Sequence, residues 1–195
     1  MKRGFKARAE QTSLRLRGEL DLQATDPLPA RELARHLKIA VVKHTEIPGL
    51  EADVISVLNK SGEWSGCVIE CNGKNLIIHH ASSSLNRQES DINHEISHIL
   101  CMHPFVTLKN NGFPLPLRSF SKDAEDEAKY LGGCLQLPRE TLIWAVQNGM
   151  TNEEISKHYT ASLQMVNYRR KITGIDIQLN RYRSLPKRGR LVFPK

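Results

Sequence analysis

Cysteine is scarce in this chain: four thiols, Cys67, Cys71, Cys101 and Cys134, in 195 residues. They are too few and too scattered for a disulfide scaffold, so stability has to come from an ordinary buried core. Aromatic residues are sparse at 6%. No apolar run approaches the roughly 18 residues that a membrane span needs. The basic start, Met1 to Arg8, leads into no apolar segment, which predicts a chain without a secretory signal and reduced thiols in a cytoplasm. Acidic residues are missing from both ends. Residues 1–8 carry Lys2, Arg3, Lys6 and Arg8, and residues 177–195 carry Arg181, Arg183, Lys187, Arg188, Arg190 and Lys195. With those ten charges set aside, the formal +7 becomes −3 over residues 9–176. Basic ends can hold nucleic acid or an acidic partner, or simply aid solubility; the body between them shows no such bias. What remains, 39% hydrophobic and 25% charged, excludes a wholly disordered, collagen-like or coiled-coil chain. The length suits one domain with a small appendage.

Hydrophobic periodicity then divides the chain. Residues 7–22 read as an amphipathic helix and Ala30–Leu37 as a short second one. The β-branched run Ile39-Ala40-Val41-Val42 reads as a strand. The segment Leu50–Asn59 fits helix or strand. Trp64–Cys71 and Asn75–His80 flank Asn72-Gly73, a hairpin signal. From Arg87 the pattern turns helical, with Ile92, Ile96, Ile99 and Leu100 three and four residues apart until Pro104. After a loop containing Gly112, Pro114 and Pro116, helices are predicted from Ser121 to about Leu135 and from Pro138 to Gln147. Thr151-Asn152-Glu153-Glu154 fits a capping box that opens a short helix, and a final helix runs from Ser162 to Ile172.

The chemistry concentrates in His94-Glu95-Ile96-Ser97-His98. Residues i and i+4 share a helix face, so the two imidazoles can reach one metal ion. Glu95 stands about 100° further round the helix axis, near the metal without ligating it. Zn²⁺ lowers the pKa of a bound water towards 7, and Glu95 as general base takes its proton during attack on a carbonyl. A third ligand is required. His103, Cys101, Asp123, Glu125, Asp126 and Glu127 are all candidates, and periodicity does not choose among them. Glu125 and Glu127 point about 200° apart, so one ligates and the other does not. Cys67 and Cys71 lack the second pair that a zinc finger needs and read as buried thiols. Of His79 and His80, whose side chains point to opposite faces, one can look towards the cleft.

The run Asp91-Ile92-Asn93-His94-Glu95-Ile96-Ser97-His98-Ile99-Leu100-Cys101-Met102-His103-Pro104 resembles the active helix of the ImmA/IrrE metallopeptidases. Glu125-Asp126-Glu127-Ala128-Lys129-Tyr130-Leu131-Gly132-Gly133-Cys134-Leu135-Gln136-Leu137-Pro138 resembles that family's second motif, and the likeness covers roughly residues 8–145. It implies His94, His98 and Glu125 as zinc ligands and Glu95 as the base. The sequence departs from the family's pattern at Ser97, where Gly is usual, at Lys129, where Asn or Asp is usual, and at Leu131-Gly132, where Phe-Ala is usual. His103 and Tyr130 are candidates for contacts to substrate or to the oxyanion. The family's peptidases cut helix-turn-helix repressors in phage, mobile-element or stress circuits.

The expectation is therefore an α+β, mainly helical, zincin-like domain over residues 1–150 with a small antiparallel sheet. A helix-turn-helix-like appendage is expected at 151–178, as family members commonly carry, with a basic tail at 179–195. Its function is expected to be that of a zinc-dependent cytoplasmic endopeptidase with a repressor-like protein substrate. The tail could bring it near DNA, and no membrane is involved. The alternative is a DNA- or protein-binding regulator, of the toxin–antitoxin or phage accessory type, whose metal site is structural or silent.

Overall fold

The first helix, α1 (Phe5–Glu19), turns Phe5, Ala9, Ser13 and Leu16 inward at three- and four-residue spacing. The structure, a computed structural model, describes residues 1–47, 55–56, 65–71, 73–104, 106–108 and 117–184. Arg17 shares the inward face of α1 and is fully buried, with its guanidinium donating to Ser13 Oγ at 2.7 Å and to the Leu135 carbonyl at 2.9 Å. Burial lowers its pKa to about 10, so it stays charged at neutral pH. Helix α2 (Ala30–His36) follows Pro29. Its first amide, on Ala30, donates to Glu89 at 2.6 Å and so ties α2 to α3 (Leu85–Leu100).

Three strands, β1 (Ala40–Lys43), β2 (Gly66–Cys71) and β3 (Lys74–His79), form a sheet in the order β1-β3-β2. The β2–β3 hairpin is antiparallel, and Gly73 takes φ +72° at its turn, a conformation that glycine adopts without steric cost. The expected antiparallel sheet needs correction, because β1 pairs in parallel with β3, Val41 opposite Ile77 and Val42 opposite Ile78. The reason is physical. A hairpin satisfies only one edge of β3, and the long link from β1 to β2 lets the β-branched run of β1 reach the other edge in the parallel sense. Two three-residue strands, β4 (Val106–Leu108) and β5 (Leu117–Ser119), pair antiparallel where the sequence reads as a loop. Strands that short leave almost no alternation to detect. The ambiguous segment 50–59 lies outside the described residues, save 55–56.

Val68 and Ile77 of the sheet meet Ile92 and Ile96 of α3, while Leu131, Cys134 and Leu135 of α4 (Lys122–Gln136) close the core from the other side. Ser84 caps α3 by accepting from the Arg87 amide, and Ser121 caps α4 by accepting from the Ala124 amide. The two helices approach closely at Gly132, where a Cβ would stand 3.2 Å from both the Asn93 carbonyl oxygen and the His94 nitrogen. That bare backbone sets α4 against the histidine-bearing face of α3.

Four helices follow among the described residues: α5 (Arg139–Gln147), α6 (Asn152–His158), α7 (Leu163–Thr173) and α8 (Ile175–Ser184). The Thr151–Glu154 capping box forms as the sequence predicts, at 2.7 and 3.1 Å. Gly174, at φ +63°, ends α7. Leu142, Ile155, Val166, Ile175 and Leu179 make a second core. Residues 179–184, read as the start of a basic tail, are helical; the apolar pair Ile175 and Leu179 holds the turn in place, and residues 185–195 lie outside the described ones. Arg169 of α7 fastens this unit to the rest. It is wholly buried, donates to the Leu137 carbonyl at 2.8 Å and to Glu10 at 2.6 Å, and rests 5.3 Å from the Tyr130 ring centre. Among the described residues no helix is long and apolar enough to cross a membrane.

Candidate metal centre

His94 and His98, one turn apart on α3, present their Nε2 atoms 3.1 Å from each other. Glu125, in the first turn of α4, sets one carboxylate oxygen 3.1 Å from His94 Nε2 and 3.7 Å from His98 Nε2. Ligand atoms about 2.0–2.1 Å from a tetrahedral zinc stand about 3.3–3.4 Å apart, so the three fit the face of such a site. Two imidazole nitrogens this close cannot both carry a proton; they share one hydrogen or bind one cation. Of the two glutamates the sequence leaves open, Glu125 stands in this cluster. Glu127 lies on the other edge of α4, and Cys101, Asp123 and Asp126 remain outside the cluster as well.

The two histidines tend to different charge states. Burial, reinforced by the facing His94 ring, pushes His98 well below its ordinary range, which favours the neutral imidazole that can ligate. Burial opposes the charged form of His94 too, but its contact with Glu125 outweighs that and holds the ring above the usual range. The same contact holds the Glu125 carboxyl down. Glu95, immediately after His94, is buried at 8% exposure, and that burial pushes its carboxyl up to about 7 despite a hydrogen bond from the Val68 amide of β2. Gly66, at the start of the same strand, lies beside it; a Cβ there would crowd the Ile78 carbonyl oxygen at 3.2 Å and make only ordinary contact, 3.8 Å, with Glu95 Cγ.

Behind His98 lies a chain of contacts that the sequence does not reveal. His98 Nδ1 stands 3.0 Å from His103 Nδ1, and His103 Nε2 stands 3.4 Å from Glu127. With Nε2 of His98 kept for a metal, its proton sits on Nδ1 and donates to His103. His103 then carries its own proton on Nε2 and donates to Glu127, which also accepts from the Lys2 amide at 2.8 Å. The Phe120 ring stacks on His98 at 3.7 Å between centres and locks the imidazole plane. Such contacts orient metal ligands, and losing one typically weakens binding 10- to 100-fold. His103→Leu is accordingly expected to weaken zinc binding by about tenfold or more in a competition titration with a chromophoric chelator. Unchanged affinity would remove His103 from this role.

Tyr130, a candidate contact for substrate, is not brought to the cluster. It lies about 140° round the helix from Glu125, faces α1, and donates to Glu10 at 3.4 Å. His79 is buried 2.6 Å from the Arg31 guanidinium, and His80 packs beside His44. Cys67 is half-buried on β2 and Cys134 is fully buried. The cluster stands between two cavities. One, of about 630 Å³, runs from His94 and Glu95 past Lys129, Gly132 and Gly133 to Met165 and Tyr168 of α7. The other, of about 470 Å³, is lined by His98, His103, Met102 and Phe120. Helix phase alone could flag Lys129, one turn beyond Glu125, but only the fold shows that α7 closes the cleft.

A two-histidine, one-carboxylate cluster at the base of an open cleft, with a buried glutamate beside it, is a donor set of the kind that metal-dependent hydrolases use. Comparison with known proteins assigns the chain. A sequence model described as the IrrE N-terminal-like domain matches residues 59–171, and the chain belongs to that family, the ImmA/IrrE peptidases. The family is one of metallopeptidases that generally use zinc. Among curated proteins none matches. A solved structure of a Mycobacterium tuberculosis transcriptional regulator is similar at a TM-score of 0.49 and 15% identity, over 84% of this chain and 46% of that one. The chain thus spans less than half the length of that regulator.

Proposed function

We propose that the chain is a zincin-like, zinc-dependent endopeptidase whose substrate is a helix-turn-helix transcriptional repressor in a phage, mobile-element or stress-response circuit. The observation that carries the reading is the approach of His94, His98 and Glu125 to one another, with Glu95 beside them at the base of a cleft. In such a site zinc, when bound, polarises the scissile carbonyl and makes water nucleophilic near neutral pH. His94 and His98 would hold it through Nε2 and Glu125 through a carboxylate oxygen. His103 and Glu127 keep His98 in the ligating tautomer. With zinc bound, the carboxylate form of Glu95 would be favoured and Glu95 would act as a base. It takes the proton of the attacking water and returns it to the leaving amine nitrogen, with the Val68 amide holding its carboxylate in place. The peptidase domain spans residues 1–150 in this reading, and α6 and α7 form a helix-turn-helix-like appendage over 151–178.

The test is incubation of the zinc-loaded chain with purified repressors, starting with the product of any neighbouring repressor-like gene. Cleavage at one site is expected, stopped by chelator and restored by zinc. A repressor that is bound tightly yet stays intact under zinc would contradict the reading and favour a binding regulator with a silent metal site.

A further inference from the structure

The cleft beside the candidate metal centre contains a cation, Lys129, with no partner of opposite charge among the described residues. Lys129 lies one helical turn after Glu125 on α4, its Nζ 5.2 Å above the Tyr168 ring of α7. Among the described residues no carboxylate pairs with it, although the same cleft holds an Arg87–Asp91 ion pair at 2.9 Å. Cation–π contact with a tyrosine steers an ammonium without neutralising it. Lys129 is exposed and therefore remains available to a ligand.

The space next to it is shaped as well as charged. Gly133 has no side chain because α7 sits where one would go: a Cβ there would stand 2.8 Å from Arg169 Cδ, 3.4 Å from Met165 Sδ and 3.5 Å from Tyr168 Cε1. Bare backbone at Gly132 and Gly133 forms the floor, Met165 and the Tyr168 ring form an apolar wall, and the Lys129 ammonium stands at the rim. The first residues of α7, which in a DNA-reading helix pair would contact bases, here face the metal cleft.

We infer that this is a subsite for an acidic side chain of the peptide substrate, with Lys129 and Tyr168 determining the specificity. It rests on the peptidase reading above. A carboxylate on a short apolar stem satisfies both features of the pocket: the methylenes lie on Met165 and the tyrosine ring, and the charge meets the ammonium. Glu125 and Lys129 are neighbours on one helix face, and successive residues of an extended peptide advance about 3.3 Å, so the acidic residue sits within about two positions of the scissile bond.

The experiment uses the zinc-loaded wild type, Lys129→Glu and Tyr168→Leu with an equimolar peptide library randomised around a cleavable core, and reads the products by mass spectrometry. Wild type is expected to favour Glu or Asp over Gln or Asn at one fixed position by about fivefold. Lys129→Glu should reverse this preference towards Lys or Arg, and Tyr168→Leu should weaken it without reversing it. Cleavage with no acidic preference, or with the same preference in Lys129→Glu, would overturn the subsite while leaving the peptidase reading intact. Zinc-loaded wild type that cuts no peptide would overturn both.

Discussion

Glu95→Gln is expected to keep one zinc per chain and to cleave substrate about a thousandfold more slowly than wild type, within the range that a positioned general base supplies. The substitution is close to isosteric. The amide oxygen of the glutamine still accepts from the Val68 amide, so the side chain stays in place, but it cannot take a proton. A further consequence concerns the metal-free protein. The Glu95 carboxyl is buried deeply enough for its pKa to rise to about 7, so charging it at neutral pH is costly. A neutral amide removes that cost, and metal-free Glu95→Gln should unfold at an equal or higher urea concentration than metal-free wild type. Atomic absorption, the rate of cleavage and a urea titration read the three effects separately. Cleavage within tenfold of wild type would remove Glu95 as the base, whereas loss of zinc would make it a ligand.

Arg169→Met should cost about 3–5 kcal/mol in stability, the range observed when one partner of a buried ion pair is removed. Arg169 is 0% exposed and its partner Glu10 has a side chain only 15% exposed, so the carboxylate left behind is poorly solvated. The Leu137 carbonyl also loses its donor. Methionine fills much of the volume but supplies no charge. Adding Glu10→Gln should recover part of the loss by removing the orphaned charge, and equilibrium urea unfolding of the single and double variants measures both. A loss below about 1 kcal/mol would mean that α7 is held by its apolar contacts rather than by Arg169. Because α7 also supplies Met165 and Tyr168 to the cleft, limited proteolysis between α6 and α7 should quicken in the same variant.

These expectations depend on features that the sequence reveals unequally. His94 and His98 are legible because four residues return a helix almost to the same face, and the apolar stripe of Ile92, Ile96 and Ile99 fixes that helix independently of the histidines. The third ligand is not legible from helix phase. Glu125 and Glu127 flank the core side of α4 equally well, and the choice depends on which way α4 leans on α3. That lean is set at Gly132, where the absence of a side chain lets the backbone of α4 come against Asn93 and His94. Family resemblance supplies the choice that periodicity cannot. The same limit hides the His98–His103–Glu127 chain, since contacts between residues 98 and 127 depend on tertiary packing alone. β1 shows the limit for strands. Its residues signal a strand, but which edge it joins and in which direction depends on the path of the link to β2. The C-terminal helices are the opposite case: Thr151, Glu154, Ser162 and Gly174 mark their ends through local hydrogen bonds and backbone conformation, which need no tertiary knowledge.

The charge at the chain's ends says least about the chemistry. The candidate site residues lie in the mildly acidic body, and the cation proposed to set specificity is Lys129 in the cleft, since Arg87 there is paired with Asp91.

The most direct measurement of the central claim is native mass spectrometry of the chain after incubation with zinc and removal of excess metal. The account predicts one zinc per wild-type chain, with the ion lost or bound at least about tenfold more weakly in His94→Ala, His98→Ala and Glu125→Ala and retained in Glu127→Gln. A wild-type chain that binds no divalent metal, or one whose zinc survives all three ligand substitutions, would contradict it.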